Sequence, residues 1–162
     1  MENKKVGVII GSLRKDSFCK KVAGALKTLT PASLELEEVE IGNLAMFNQD
    51  FDDEGNTPAE WKAFREKIKK LDAVLFITPE YNRSFPAVIK NALDIGSRPY
   101  GYNAWNGKPG AVVSVTPGAL GAFGANHHLR QVLVFLNVPT MPQPEAYIAN
   151  ASALFNENGE LI

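Results

Sequence analysis

Apolar and polar residues alternate along the chain with two different periods. Lys5 to Ile10 carries Val6, Val8, Ile9 and Ile10 and reads as a first strand. Ser17 to Leu29 repeats Phe18, Val22, Leu26 and Leu29 at helical spacing, leaving Lys20, Lys21 and Lys27 for solvent, and Thr30-Pro31 ends that helix. Leu34, Leu36, Val39 and Ile41, set among Glu35, Glu37, Glu38 and Glu40, predict a second strand with one exposed face at a sheet edge. After a long polar connection, Thr57-Pro58 opens a helix with Trp61, Phe64 and Ile68 on one stripe. Ala73 to Thr78 is continuously apolar, the signature of a strand buried on both faces. Phe85 to Ile95 reads as a helix with Pro86 in its first turn, Gly110 to Val115 as a fourth strand, and Ala125 to Leu136 as a helix with Leu129, Val132, Leu133 and Leu136 inward. Val138 to about Ile148 supplies a fifth strand, which Pro139, Pro142 and Pro144 confine to an edge.

Strands alternating with helices specify an α/β fold with a parallel sheet covered on both faces. With five strands the expected arrangement is a flavodoxin-like three-layer sandwich in strand order 2-1-3-4-5, its ligand crevice above strands 1 and 3. Residues 1–162 read as a single domain, with no internal repeat and no low-complexity segment. Such a domain ordinarily adds a last helix beside the first. Ser152 to Ile162 holds the turn Asn156-Glu157-Asn158-Gly159 instead, so that helix is expected to be missing.

Composition narrows the function. The 162 residues (17.7 kDa) are 45% hydrophobic and 22% charged, ordinary for a globular domain. A formal charge of −1 and a pI near 6.1 argue against a nucleic-acid partner. No apolar run approaches the roughly 20 residues that span a bilayer, so no membrane partner is expected. The chain enters its first strand almost at once, leaving no room for a signal peptide. A single cysteine, Cys19, excludes an internal disulfide and suits a reducing, cytoplasmic setting.

Three unusual loops follow strands 1, 3 and 4, and the expected topology brings them to one crevice. Residues 11–18, Gly11-Ser12-Leu13-Arg14-Lys15-Asp16-Ser17-Phe18, lie between a buried strand and a helix N-terminus. There, unpaired amides and the helix dipole favour a phosphate, with Arg14 as a bidentate partner and Ser12 and Ser17 as hydroxyl donors. The plain alternative is a strand-to-helix turn with Asp16 or Ser17 as N-cap. The spacing fits neither a P-loop nor a dinucleotide G-x-G-x-x-G loop. Pro79 and Pro86 stiffen the loop at residues 78–84, in which Tyr81 offers a ring face and Asn82 a donor and an acceptor. Residues 116–124 hold small residues that let a backbone approach a flat ligand. Solvated or flexible loops are the competing readings, with Glu80 merely hydrated. Asp50, Asp52, Glu54 and Gly55 open like a calcium loop, but Trp61 stands at position twelve, so that segment reads as a solvated loop. His127 and His128 are adjacent on a helix and point apart, which suits structural or interface roles better than a metal. Cys19 reads as a half-buried helix residue with no base beside it.

Those loops, together with Lys90-Asn91-Ala92-Leu93-Asp94, Ser97-Arg98-Pro99, Gly107-Lys108-Pro109, Pro117-Gly118 and His128-Leu129-Arg130-Gln131, resemble the NADPH-dependent FMN reductase family, most closely its bacterial quinone, chromate and azo reductase branch. The likeness runs from about residue 5 to Ile148. It implies an FMN phosphate lined by Ser12, Arg14, Ser17, Phe18 and Cys19, an isoalloxazine ring along Pro79, Glu80, Tyr81 and Asn82, and Thr116 and Gly118 near the flavin. Cys19 stands where relatives often carry Asn, Asn126-His127 replaces a stretch that often ends in Tyr, and Ile95-Gly96 replaces a Trp-containing pair.

The expected activity is therefore a ping-pong reaction: NADPH or NADH passes hydride to N5 of non-covalently bound FMN, then a quinone, azo dye, chromate or free flavin takes its place. The flavin carries the chemistry, so no residue of the chain is assigned a catalytic role and no metal is expected. Arg83, Arg98 and Lys108 are the candidates, by charge, for a 2′-phosphate. Relatives commonly associate, so a homodimer or homotetramer is expected. The alternatives are a flavodoxin-type electron carrier, which the near-neutral charge disfavours, and a non-enzymatic flavin-binding sensor.

Overall fold

A computed structural model describes residues 3–162 and contains the five-stranded parallel sheet in the order β2-β1-β3-β4-β5. In chain order the elements are β1 (Lys4–Ile10), α1 (Phe18–Leu29), β2 (Leu34–Glu38), α2 (Asp50–Asp53), α3 (Ala59–Lys70), β3 (Ala73–Thr78), α4 (Ala87–Gly96), β4 (Gly110–Val115), α5 (Phe123–Phe135) and β5 (Ala146–Ile148). A 3-10 turn at Ala151–Ala153 and a bridge between Phe155 and Leu161 follow β5, and no sixth α-helix occurs among the described residues.

The two faces of the sheet are covered unequally. Ile9, Val74, Phe76 and Val112 point into a large core made with α3, α4 and α5, where Trp61, Ile68, Ile89, Leu93, Trp105, Leu129 and Leu133 are completely shielded from water. Val8, Ile10, Ile77 and Val115 point the other way, toward α1 and the tail residues Ala151 and Phe155. Period-two alternation along β1, β3 and β4 makes both faces apolar, which is why these strands read as unbroken hydrophobic runs.

Departures from the expected boundaries each have a local cause. β2 stops at Glu38 rather than running to Ile41. Leu36 packs on the α1 face, whereas Val39 and Ile41 sit in the opposite core, so the apolar set changes sides as the strand leaves the ladder. Pro86 caps α4 in an extended conformation (φ −64°, ψ 150°), which delays the helix to Ala87. β5 is reduced to three residues: Thr140 makes only an isolated bridge to Gly110, and the stretch containing Pro142 and Pro144 has too few N–H donors to continue the ladder.

The segment read as a solvated loop is a helical turn, α2, fixed by its side chains. Asp52 takes both terminal nitrogens of Arg65, at 2.8 and 2.6 Å, while the Arg65 Nε–H donates to the Ile95 carbonyl at 2.8 Å. Both side chains of the pair are nearly inaccessible, and Thr57 donates a further hydrogen bond to Asp52 at 2.9 Å. The Arg65 hydrogen bonds hold the Asp52 carboxyl below the usual carboxylate range despite burial. Cys19 lies fully buried in the α1-side core, deeper than its half-buried expectation, and burial pushes its thiol up to about 12.

Two consequences are measurable. Arg65→Ala strands a buried carboxylate and a carbonyl, so it should lower unfolding stability by about 3 kcal/mol in denaturant titrations. Because the Asp52 pKa is depressed on folding, its contribution is complete above the unfolded value of about 3.9 and lost as pH falls through the folded one. The parent protein should therefore lose stability below about pH 4 more steeply than the variant does, and an unchanged denaturation midpoint would show the pair to be inert. The Cys19 thiol should resist a disulfide reagent in the native protein and react fully after unfolding; rapid native labelling would contradict its burial.

Candidate functional site

The strand order reverses between β1 and β3. From β1 the chain crosses to the α1 face, and from β3 to the opposite face, so the loops after these strands part and leave a crevice above their C-terminal ends. Gly11 fixes the spacing of its walls. Its N–H donates to the Ile77 carbonyl at 2.8 Å, and a Cβ on it would lie 2.6 Å from Ile89 Cδ1 and 3.0 Å from Pro79 Cδ. Only glycine admits so close an approach of β1, α4 and the start of the 78–84 loop.

The first wall is the 11–18 loop. Ser17 is the N-cap of α1, its Oγ accepting weakly from the Lys20 N–H at 3.4 Å, and both Ser12 and Ser17 are buried. The amides of Phe18 and Cys19 meet no backbone oxygen among the described residues. Arg14 is exposed and forms no hydrogen bond or ion pair there, and Lys15 and Lys20 flank it in the exposed shell. Helix-end amides, two hydroxyls and a guanidinium are the donor set a dianionic headgroup requires. Cys19 contributes to this wall only through its backbone, because its thiol lies in the core next to Ser17. Phe18 is half-buried, with the Lys21 ammonium 5.4 Å from its ring centre.

The second wall is a tight hairpin that the prolines had not suggested. Tyr81 and Ser84 exchange both backbone hydrogen bonds, at 2.8 and 3.0 Å, across Asn82 (φ 51°) and Arg83 (φ 67°). Two successive left-handed residues are the geometry of a two-residue reverse turn. Asn82 was the visible signal, whereas an arginine in that conformation is uncommon and is not read from sequence. The turn leaves Tyr81 and Asn82 exposed at the rim and Pro79 half-buried beneath them. Glu80 is held rather than hydrated: Oε2 accepts from the Ala125 N–H at 3.1 Å, and Oε1 pairs with Arg83 at 3.2 Å.

The third wall, residues 116–124, is pinned at both ends. Thr116 receives Gly118 N–H on its Oγ1 at 3.2 Å and bonds through its backbone to Ile148 and Ala151, while the Gly118 carbonyl accepts from Asn150. Gly121 adopts φ +60°, and a Cβ there would lie 2.7 Å from Tyr147 Cβ. Beneath it runs a buried polar chain. Asn126 Nδ2 donates to Ser114 Oγ at 3.1 Å, Ser114 Oγ donates to the Gly121 carbonyl at 2.6 Å, and Arg130 donates to Asn126 Oδ1 at 2.8 Å. These residues support the loop, and sequence does not disclose them, because a serine in an apolar strand carries no periodic signal.

Ser12, Arg14, Ser17, Phe18, Pro79, Glu80, Tyr81, Asn82, Thr116 and Gly118 thus lie on or at the end of three loops at the C-terminal ends of the strands. Two charge candidates do not. Lys108 precedes β4, and its ammonium donates to the Leu71 carbonyl ahead of β3; burial there lowers its pKa. Arg98 follows the end of α4, which runs antiparallel to the strands. Both lie toward the N-terminal ends of the strands, which leaves Arg83 on the crevice side. His128 Nδ1 meets Ser84 Oγ at 2.8 Å, and His127 Nε2 meets the Tyr147 hydroxyl at 2.7 Å, so one histidine has its side-chain partner on the 78–84 loop and the other on β5. No helix of the described residues is long and apolar enough to cross a membrane, and no group of three or more potential metal ligands occurs among them.

Comparison with known proteins agrees with this geometry. The family model for NADPH-dependent FMN reductases matches residues 4–153. A quinone reductase of Pseudomonas putida is 58% identical over 156 residues, covering 96% of this chain and 83% of the relative. A 2-hydroxy-1,4-benzoquinone reductase of Burkholderia is 44% identical, covering 98% and 85%. Among solved structures, the flavoenzyme NAD(P)H:(acceptor) oxidoreductase FerB of Paracoccus denitrificans superimposes with a TM-score of 0.90 at 41% identity, covering 98% of this chain and 86% of that one. With a flavodoxin-like sheet, a phosphate-type donor set at its switch point and this match across nearly its whole length, the chain belongs to the NADPH-dependent FMN reductase family and is an FMN-dependent oxidoreductase.

Proposed function

We propose that this chain reduces quinone-type acceptors at the expense of NADPH or NADH, with FMN held in the crevice between its three loops. The observation that carries the reading is the convergence of those loops above the C-terminal ends of β1, β3 and β4, one bearing a phosphate donor set and two offering rigid backbone edges. In this reading Ser12, Arg14, Ser17 and the amides of Phe18 and Cys19 hold the phosphate. The hairpin at Pro79, Glu80, Tyr81 and Asn82 presents backbone groups to the polar edge of the ring, and Thr116 and Gly118 bound its other side.

When bound, FMN supplies the hydride-accepting and hydride-donating chemistry. The chain's residues orient and confine: Gly11 and Pro79 fix the wall spacing, and the 116–124 loop keeps its form through Ser114 and Asn126. The net reaction moves two electrons and a proton from the nicotinamide, and a second proton from solvent, onto the acceptor. Reductant and acceptor use the same open face in turn, so stacking and proximity provide most of the acceleration and no side chain needs to act as a proton donor. The named relatives support a quinone acceptor; azo compounds, chromate and free flavin suit the same open face. Arg83, exposed at the rim, is the cation available to a 2′-phosphate. A homodimer or homotetramer in the cytoplasm completes the reading, consistent with one buried cysteine.

The test is flavin titration with steady-state turnover. Arg14→Ala removes a charge-assisted contact worth about 1.5–3 kcal/mol, so FMN affinity should fall roughly ten- to a hundred-fold. FMN-loaded protein should oxidise NADPH or NADH continuously when a benzoquinone is present. Unaltered affinity in the variant would place the phosphate elsewhere, and flavin uptake without turnover would favour an electron carrier.

A further inference from the structure

The amino end of α5 lacks a cap of its own. Its N-cap residue, Ala122, sits in the left-handed region (φ 56°, ψ 39°) and has no side chain with which to accept an amide. Phe123 N–H reaches the Leu120 carbonyl and Asn126 N–H reaches the Ala122 carbonyl, which leaves the amides between them to other partners. The Ala125 amide is taken by Glu80 Oε2 at 3.1 Å, a contact spanning 45 residues of sequence and joining the second wall of the crevice to the third. The Glu80 side chain is 14% exposed although it belongs to a surface loop, and its other oxygen pairs with Arg83 within the hairpin. A carboxylate there satisfies an otherwise unpaired helix amide and meets the positive end of the helix dipole. A second tie runs parallel to it, from Ser84 Oγ to His128 Nδ1, with the Phe85 ring edge-on to the imidazole at a centroid distance of 5.3 Å.

We infer that Glu80 is a positioning residue that sets the separation of the two ring-side loops by capping α5 from across the crevice. The inference rests on the reading above and refines it. The family likeness sets Glu80 beside the flavin ring, whereas here its carboxylate is spent on α5, so it acts on the ring through the loops it holds apart. The pair with Arg83, whose side chain is 77% exposed, is the lesser part of the role, since exposed ion pairs stabilise little. The amide bond is the greater part, because a glutamine oxygen can replace it and an alanine cannot.

Riboflavin, which has the ring but no phosphate, separates the ring side from the phosphate side. Glu80→Ala should weaken FMN and riboflavin by the same factor, roughly ten-fold, and alter the visible band of the bound flavin. Glu80→Gln should restore both affinities to within about three-fold of the parent. In the flavin-free protein, hydrogen exchange at the Ala125 amide should quicken in Glu80→Ala and stay slow in Glu80→Gln, with the β4 amides unchanged. A loss confined to FMN would assign Glu80 to the phosphate, and equal affinities in all three proteins would abolish the role; either result overturns the inference. A parent protein that takes up neither flavin overturns the functional reading and the positioning role with it, while amide exchange still reports whether the cap exists.

Discussion

Everything at the crevice depends on how closely β1 ends against the beginning of the 78–84 loop. Parallel strands require crossovers, and crossovers to opposite faces force adjacent loops apart. That divergence alone would leave an opening of arbitrary width. Gly11 sets the width by bringing the backbone into contact with Ile89 and Pro79 while its amide stays in the sheet ladder through Ile77. A Cβ at that position would press on the Ile89 terminal methyl and on Pro79 Cδ, so a side chain there has to push one or the other aside.

Stability and function occupy different layers. The aromatic-rich core under α3, α4 and α5 holds Phe85 and Ala125, which follow the two ring-side loops, and the buried Arg65–Asp52 pair fastens the long connection to the same layer. The other face carries α1 and the tail alone among the described residues, with the phosphate-type loop at the head of α1. In the proposed reading the donors to an FMN phosphate sit at the head of the thinner layer, on the 11–18 loop, and the ring lies along the 78–84 and 116–124 loops. A ligand bridging them would couple the two halves of the sandwich, adding stability in proportion to its affinity and concentration.

How far the sequence discloses this arrangement varies with the range of the interaction. β3 and β4 are readable to the residue because buried parallel strands are defined by local composition, whereas the cap of α1 is narrowed by sequence only to Asp16 or Ser17, of which the structure uses Ser17. The end of β2 is less readable, since Val39 and Ile41 are apolar whichever face they serve. The Asp52 pairing, the Glu80 cap and the Ser114–Asn126 chain join residues between 12 and 45 positions apart. No periodicity encodes such a partner, so polar residues with buried tertiary roles look hydrated from sequence. Lys108 and Arg98 fail for the same reason: charge is legible, but the end of the strands at which it falls is a property of topology.

The crevice is built largely from backbone, and this bears on what it can accept. Its ring-side walls are a two-residue hairpin and a glycine-containing loop, fixed by backbone hydrogen bonds within the hairpin, by Thr116 and by the Glu80 contact to Ala125. Tyr81, Asn82 and Arg83 stand exposed on the hairpin, and Leu120 and Phe123 stand exposed on the facing loop. Rigid walls can hold a planar ring without enclosing what stacks above it, and selection then falls to the fit of flat molecules against an open face. In the function proposed above, such a site favours aromatic and quinonoid acceptors over bulky saturated ones. The breadth of acceptors expected of it follows from the same backbone rigidity that fixes the wall spacing.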